Sequence, residues 1–426
     1  MKFLSAVFLL LMISCNTLKS PFSKRSAHEK YGEKIRSAGL EDNALGKAWF
    51  AVAEHALSSP QLISLPYSET GFFAAVEPRA PGFIFSAERG QKIKVSLSLN
   101  PDSIRIFMDL FKANSNNSSP VATMDTTTKI LIFTVTRTDS FILRLQPELL
   151  VNVQYTITFT TGPSLAFPVA KSGNPRLISF WGNSRGNGAR KHEGVDIAAK
   201  FRAPALAAVE GTVSSVTENR LGGKVVFLRN AATGDNLYYA HLDSQIAYNG
   251  QKVKPGDTLG LIGNTGNARN TVPHLHFGIY TYGGAIDPFP FINPVAKAPK
   301  EITASLVPIN RFVRTTSKTK LYFSLDSSPN DSSIEKGQAV FVLAASGDDY
   351  MVRLPGNITG YLNSRNVTDN EMKKQKIEEK KSLQWQPSPG SPIIDFIPPD
   401  ATVDILGTNK NFYLVRYKSL QGWITQ

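Results

Sequence analysis

The sequence predicts a mainly β protein: a helical segment near the N-terminus, a β-sandwich, a central antiparallel β domain and two small C-terminal barrels. Three observations carry this reading. Stretches such as Lys92-Ile93-Lys94-Val95-Ser96-Leu97-Ser98-Leu99 alternate polar and apolar residues with the period of a half-buried strand. The 31 glycines and 26 prolines among 426 residues punctuate the chain at a density that suits turns better than long helices. A composition of 42% hydrophobic and 19% charged residues supports packed cores and excludes wholesale disorder.

Taken in order, residues 1–14 read as a secretory signal, with Lys2 ahead of an apolar run over 3–13. That run is too short to span a bilayer, which needs ~20 residues. Met12-Ile13-Ser14-Cys15 resembles a bacterial lipobox, and the resemblance makes Cys15 the lipidated N-terminus of a membrane-anchored lipoprotein. Residues 22–58 show helical spacing, with an Ala-rich stretch over 44–53 that Ser58-Ser59-Pro60 ends. Alternation over 59–166, in 92–99, 130–135, 141–145 and 155–159, argues a β-sandwich. It is similar to the pre-peptidase sandwich found beside secreted bacterial peptidases.

The C-terminal part repeats itself. Val340-Phe341-Val342-Leu343 followed by Tyr350-Met351-Val352-Arg353 matches Val403-Asp404-Ile405-Leu406 followed by Tyr413-Leu414-Val415-Arg416. The copies close with Gly360-Tyr361-Leu362 and Gly422-Trp423-Ile424. The repeat resembles bacterial SH3-like barrels, expected over 303–369 and 382–426. The charged stretch 371–381 between them is expected to be a solvated linker or short helix.

The chemistry lies in the middle. One cysteine excludes an intrachain disulfide framework and a zinc site of several thiolates. There are six histidines, and four of them fall between 192 and 276. They occur in His192-Glu193-Gly194-Val195-Asp196, in Tyr239-Ala240-His241-Leu242 and in Pro273-His274-Leu275-His276-Phe277. Side chains at i and i+2 of a strand share a face, so His274 and His276 project together while Leu275 and Phe277 face a core. Two histidines and one aspartate make three protein ligands and leave a fourth position for water, the pattern of a catalytic zinc site. Zinc lowers the pKa of such a water from ~15.7 to about 7. The net charge of +13 suits an anionic partner such as an envelope polymer. No motif for nucleic acid is present.

Residues 168–298 resemble the LytM/lysostaphin-type zinc metallopeptidases. The match runs through the three histidine motifs, Ala203-Pro204, Gly211-Thr212-Val213, Lys254-Pro255-Gly256-Asp257 and Gly263-Asn264-Thr265-Gly266. The resemblance implies that His192, Asp196 and His276 bind one Zn²⁺ and that His241 and His274 act at the water and the scissile carbonyl. It implies an endopeptidase cutting the peptide cross-links of peptidoglycan, with D,D-cleavage favoured over glycyl-glycine cleavage. The partners would be peptidoglycan and, through the anchor, a membrane of the bacterial envelope, the outer membrane or its periplasmic face. The alternative is a non-catalytic scaffold or activator of other wall hydrolases. Arg185 and Arg190 are expected to receive substrate carboxylates. Of Tyr238 and Tyr239, one is expected to face the core and the other to line the cleft, and Tyr239 is assigned to the substrate. Glu193, on a strand or tight turn that aims it away from His192, is given no role.

Overall fold

A computed structural model describes residues 25–115, 119–185, 188, 190–325 and 333–426. The signal segment and Cys15 lie outside the described residues. Two helices open the described chain, Ala27–Ser37 and Ala44–Ser58, and most of the regular structure after them is strand. No helix among the described residues is long and apolar enough to cross a membrane. Ser26 and Glu29 form a reciprocal capping box on the first helix, and Asn43 caps the second. Trp49, fully buried, fixes the second helix to the sandwich by donating its indole N–H to the Pro147 carbonyl at 2.9 Å.

The sandwich consists of two sheets. One runs Gln61–Leu62, Gly82–Ala87, Asp139–Pro147, Ile106–Lys112, Ala122–Thr123. The other contains Tyr67–Phe73, Val153–Pro163, Gln91–Asn100 and Ile130–Thr134. Along Gln91–Asn100, Ile93, Val95, Leu97 and Leu99 turn into the core.

The second sheet does not stop at the sandwich. Tyr67–Phe73 also pairs with Ala339–Ser346, so strands from both ends of the sequence form one nine-stranded sheet. A buried polar knot sits at this seam. Tyr67 and Tyr155 donate their hydroxyls to the two oxygens of Glu69 at 2.6 and 2.8 Å, and the Tyr361 hydroxyl lies 2.9 Å from that of Tyr67. Gly71 leaves room for it, since a Cβ there would stand 2.5 Å from the Tyr155 hydroxyl oxygen. Arg353 adds a forked bond to Glu77.

Burial holds the Glu69 carboxyl above its ordinary value, with the two tyrosine bonds and Arg79 working the other way. Folded Glu69 therefore keeps its proton at pH values where the unfolded carboxyl has lost it. The folded state binds more protons, so stability falls as pH rises above the ordinary value of 4.5. Thermal melts across pH should show this fall in the native chain and a flatter profile in Glu69→Gln. Parallel profiles would mean that folding leaves the Glu69 pKa unshifted.

The last module is a six-stranded sheet, Lys373–Lys376, Thr402–Asn409, Phe412–Tyr417, Leu420–Thr425, Lys381–Gln384, Ile393–Ile397. Here the expectation of a linker or short helix over 371–381 is corrected. Lys373–Lys376 is an edge strand on Thr402–Asn409, with Lys374 opposite Asp404, and Ile377 is buried behind it. Exposed lysines suit an edge, where they discourage pairing with another chain.

The central domain is a ten-stranded sheet. Its main path runs Arg176–Ser179, Val195–Ala198, His274–Thr281, Asn236–Gln245, Gly223–Asn230, Gly211–Asn219, Lys252–Val253. Its core holds Val195, Ile197, Leu275, Phe277, Tyr239 and Leu242. It joins the sandwich where the Leu165 N–H donates to the Phe291 carbonyl at 2.9 Å.

Candidate metal centre

Register builds the site. On adjacent antiparallel strands Asp196 stands opposite His276, and Ala240 stands opposite His276 on the other side. Ile197 and Leu275, one residue along, face the core together. One face of three strands therefore presents Asp196, His274 and His276 to a cleft of about 900 Å³. Its lining residues, Ile178 through Tyr280, all belong to the central domain.

His192 enters from the loop before Val195–Ala198. Its Nδ1 donates to the Phe180 carbonyl at 2.9 Å, which leaves Nε2 bare. That Nε2 lies 3.0 Å from Asp196 Oδ1 and 2.9 Å from His276 Nδ1, and His276 Nδ1 lies 3.0 Å from the same Oδ1. A tetrahedral site with ~2.1 Å bonds has ligand–ligand edges of roughly 3.4 Å, so this triangle needs only a small expansion to hold zinc. Two imidazole nitrogens and a carboxylate oxygen aimed at one point are the donor set such an ion takes. Gly194 keeps the space open, because a Cβ there would meet His276 Nε2 at 2.8 Å.

His241 arrives by a different device. Regular alternation would place it on the core face, since Ala240 shares the cleft face with His276. Its φ of 61° breaks the alternation, and the strand bulges there against Gly223–Asn230. The ring then stands 4.9 Å from that of His274 and 5.9 Å from that of His276. Its Nδ1 donates to the Thr265 carbonyl at 2.9 Å, and His274 Nδ1 donates to the Val272 carbonyl at 2.9 Å. Both histidines thus bond the backbone through Nδ1, which leaves Nε2 as the ring nitrogen without a backbone partner. His274 Nε2 lies 4.0 Å from Asp196 Oδ1.

Electrostatics match. Burial, then the neighbouring His274 and His276, lower the His241 pKa to about 4. Burial likewise lowers that of His276. Burial opposes ionisation of Asp196, but the adjoining His192 and His276 outweigh it and hold the carboxyl far below its usual range. Near neutral pH His241 and His276 are neutral imidazoles beside a carboxylate, the forms that bind metal or accept a proton.

The other sequence-assigned residues divide. Arg185 and Arg190 both line the cleft; Arg190 is exposed, while Arg185 is bonded to Asp196 and Ser179 at 2.6 Å each. Glu193 is exposed at the rim. Tyr239 is a correction. It is fully buried, packs on Phe277, and its hydroxyl accepts from the Ala208 N–H at 2.9 Å. Counting by twos back from His241 puts Tyr239 in the cleft, but the bulge at His241 shifts the count by one. Tyr238 lines the cleft instead, its ring 5.8 Å from that of His276, with Phe227 and Tyr280 beside it. The left-handed backbone of a histidine leaves no mark in the sequence.

With this geometry in place, residues 190–288 match the model of peptidase family M23, so the central domain is an M23 peptidase domain. An L-Ala--D-Glu endopeptidase of Bacillus subtilis is 34% identical over 139 residues, 30% of this chain and 42% of that one. The peptidoglycan DD-endopeptidase ShyC of Vibrio cholerae is 35% identical over 94 residues, 22% of this chain and 21% of that one. The chain spans less than half the length of these curated relatives. Among solved structures, the catalytic domain of lysostaphin from Staphylococcus simulans aligns over 28% of this chain and 92% of its own, with 28% identity and a TM-score of 0.26.

Proposed function

We propose that the chain is a zinc endopeptidase that hydrolyses the peptide cross-links of peptidoglycan in the bacterial envelope. The observation that carries this reading is the triangle of His192 Nε2, Asp196 Oδ1 and His276 Nδ1 on the floor of an open cleft, with His241 and His274 alongside. His192, Asp196 and His276 hold the metal, which when bound acidifies water and polarises a carbonyl. His241 and His274, each with Nδ1 tied to a backbone carbonyl, present Nε2 to the reacting atoms. One would accept the proton of the attacking water and then return it to the leaving amine nitrogen as the C–N bond breaks. Tyr238, Phe227 and Tyr280 form an apolar wall for the peptide. Exposed Arg190 and Lys191 suit stems that carry free carboxylates, which favours D,D-cross-links over uncharged glycine bridges. The lipobox at Cys15 would tether the enzyme, and the SH3-like modules would hold it against the wall.

The test is digestion of purified sacculi by the full chain, with mass spectrometry of the released muropeptides. Dimeric muropeptides should fall to monomers, a chelator should stop this, and added Zn²⁺ should restore it. Unchanged dimers with zinc bound would overturn the enzyme reading in favour of a scaffold or activator of other hydrolases.

A further inference from the structure

Asp196 uses its two oxygens for different purposes. Oδ1 faces His192 and His276 at 3.0 Å each. Oδ2 receives Arg185 Nη2 at 2.6 Å, and the same nitrogen lies 2.6 Å from Ser179 Oγ. Arg185 is carried there by a two-stranded hairpin, Ser184–Arg185 against Arg190–Lys191. Its side chain is 30% exposed, so the guanidinium works in a partly dry setting where a charge-assisted bond is strong. A residue meant to receive a substrate carboxylate would present its fork to the cleft. Arg185 instead commits one nitrogen of that fork, Nη2, to the protein's own aspartate.

The geometry points to Arg185 as a positioning residue for the metal centre: it holds Asp196 so that Oδ1 alone is offered to the ion. This rests on the zinc reading above. Two effects of removing Arg185 oppose each other. Loss of the orienting bond lowers metal affinity, by about 10–100-fold for groups that act behind a ligand. Loss of a nearby positive charge raises it. A lysine keeps the charge but has neither the planar fork nor its reach, so the two effects separate.

Zn²⁺ affinity is measured on the full chain by competition with a chromophoric chelator, for the native protein, Arg185→Lys, Arg185→Gln and His276→Ala. Positioning predicts that Arg185→Lys binds zinc about 10–100-fold more weakly and Arg185→Gln more weakly by a smaller factor, with the folded structure intact by circular dichroism. Muropeptide cleavage at saturating zinc should return for Arg185→Lys, with KM close to native. Native-like affinity in both variants with a raised KM would overturn the proposal and return Arg185 to the substrate. Tighter zinc binding in Arg185→Gln would overturn it too, as the signature of simple repulsion. If the native chain takes up no zinc that His276→Ala loses, the metal centre itself fails and the proposal falls with it.

Discussion

Replacing His276 with alanine should remove zinc and hydrolysis together, whereas His241→Ala and His274→Ala should keep the metal and slow turnover by about 10²–10⁴-fold. The contrast follows from register. His276 supplies one corner of the ligand triangle, and its direct neighbours across the sheet are Asp196, already a corner, and Ala240, which has no donor. Two ligands then remain, too few for a zinc site. His241 and His274 lie outside the triangle, and their loss leaves three donors in place. Metal content by elemental analysis and turnover on a defined cross-linked muropeptide separate the two outcomes. Full zinc occupancy in His276→Ala, or zinc loss in His241→Ala, would exchange the roles proposed for them.

Truncating Tyr155 to alanine should destabilise the scaffold by about 3–5 kcal/mol, the range for deleting a buried aromatic ring. Tyr155 is fully buried, stacks on Phe73 with ring centres 4.7 Å apart, and donates to Glu69 Oε1. The variant opens a cavity and strips the buried carboxyl of a donor. The denaturant midpoint of the scaffold should fall while zinc affinity of the central domain stays near native. A midpoint unchanged within error would show that the seam between the sandwich and the 312–368 module contributes little. Tyr155→Phe, which keeps the ring, isolates the hydroxyl, at about 1–3 kcal/mol.

Much of this arrangement is legible in the sequence. The alternation around Ile93 and Val95 marked a strand because one face must be dry and the other wet. The i, i+2 spacing of His274 and His276 marked a shared face for the same reason, and Leu275 and Phe277 named the opposite one. What escaped was non-local or non-periodic. The bulge at His241 shifted the face of its neighbours, which misplaced Tyr239 and hid Tyr238. Arg185 read as a rim cation because its partner lies eleven residues on, across a hairpin and a strand. The lysine-rich 371–381 segment read as linker because charge dominates its composition, while an edge strand tolerates that charge on its open side. The pairing of Tyr67–Phe73 with Ala339–Ser346 spans most of the chain, and no local pattern encodes it.

That long-range pairing changes what kind of object the peptidase is. Both exits of the central domain lead back to a single sheet, so the catalytic part is an insert within a closed frame and not a bead on a string. A cut in the connecting stretch near residues 299–311 leaves the two fragments clasped by strand pairing, the Glu69 knot and the Arg353–Glu77 fork. Exchange of catalytic domains in such a chain is replacement of a cassette between two fixed joints. It demands compatible ends on both sides, where a terminal fusion would demand only one.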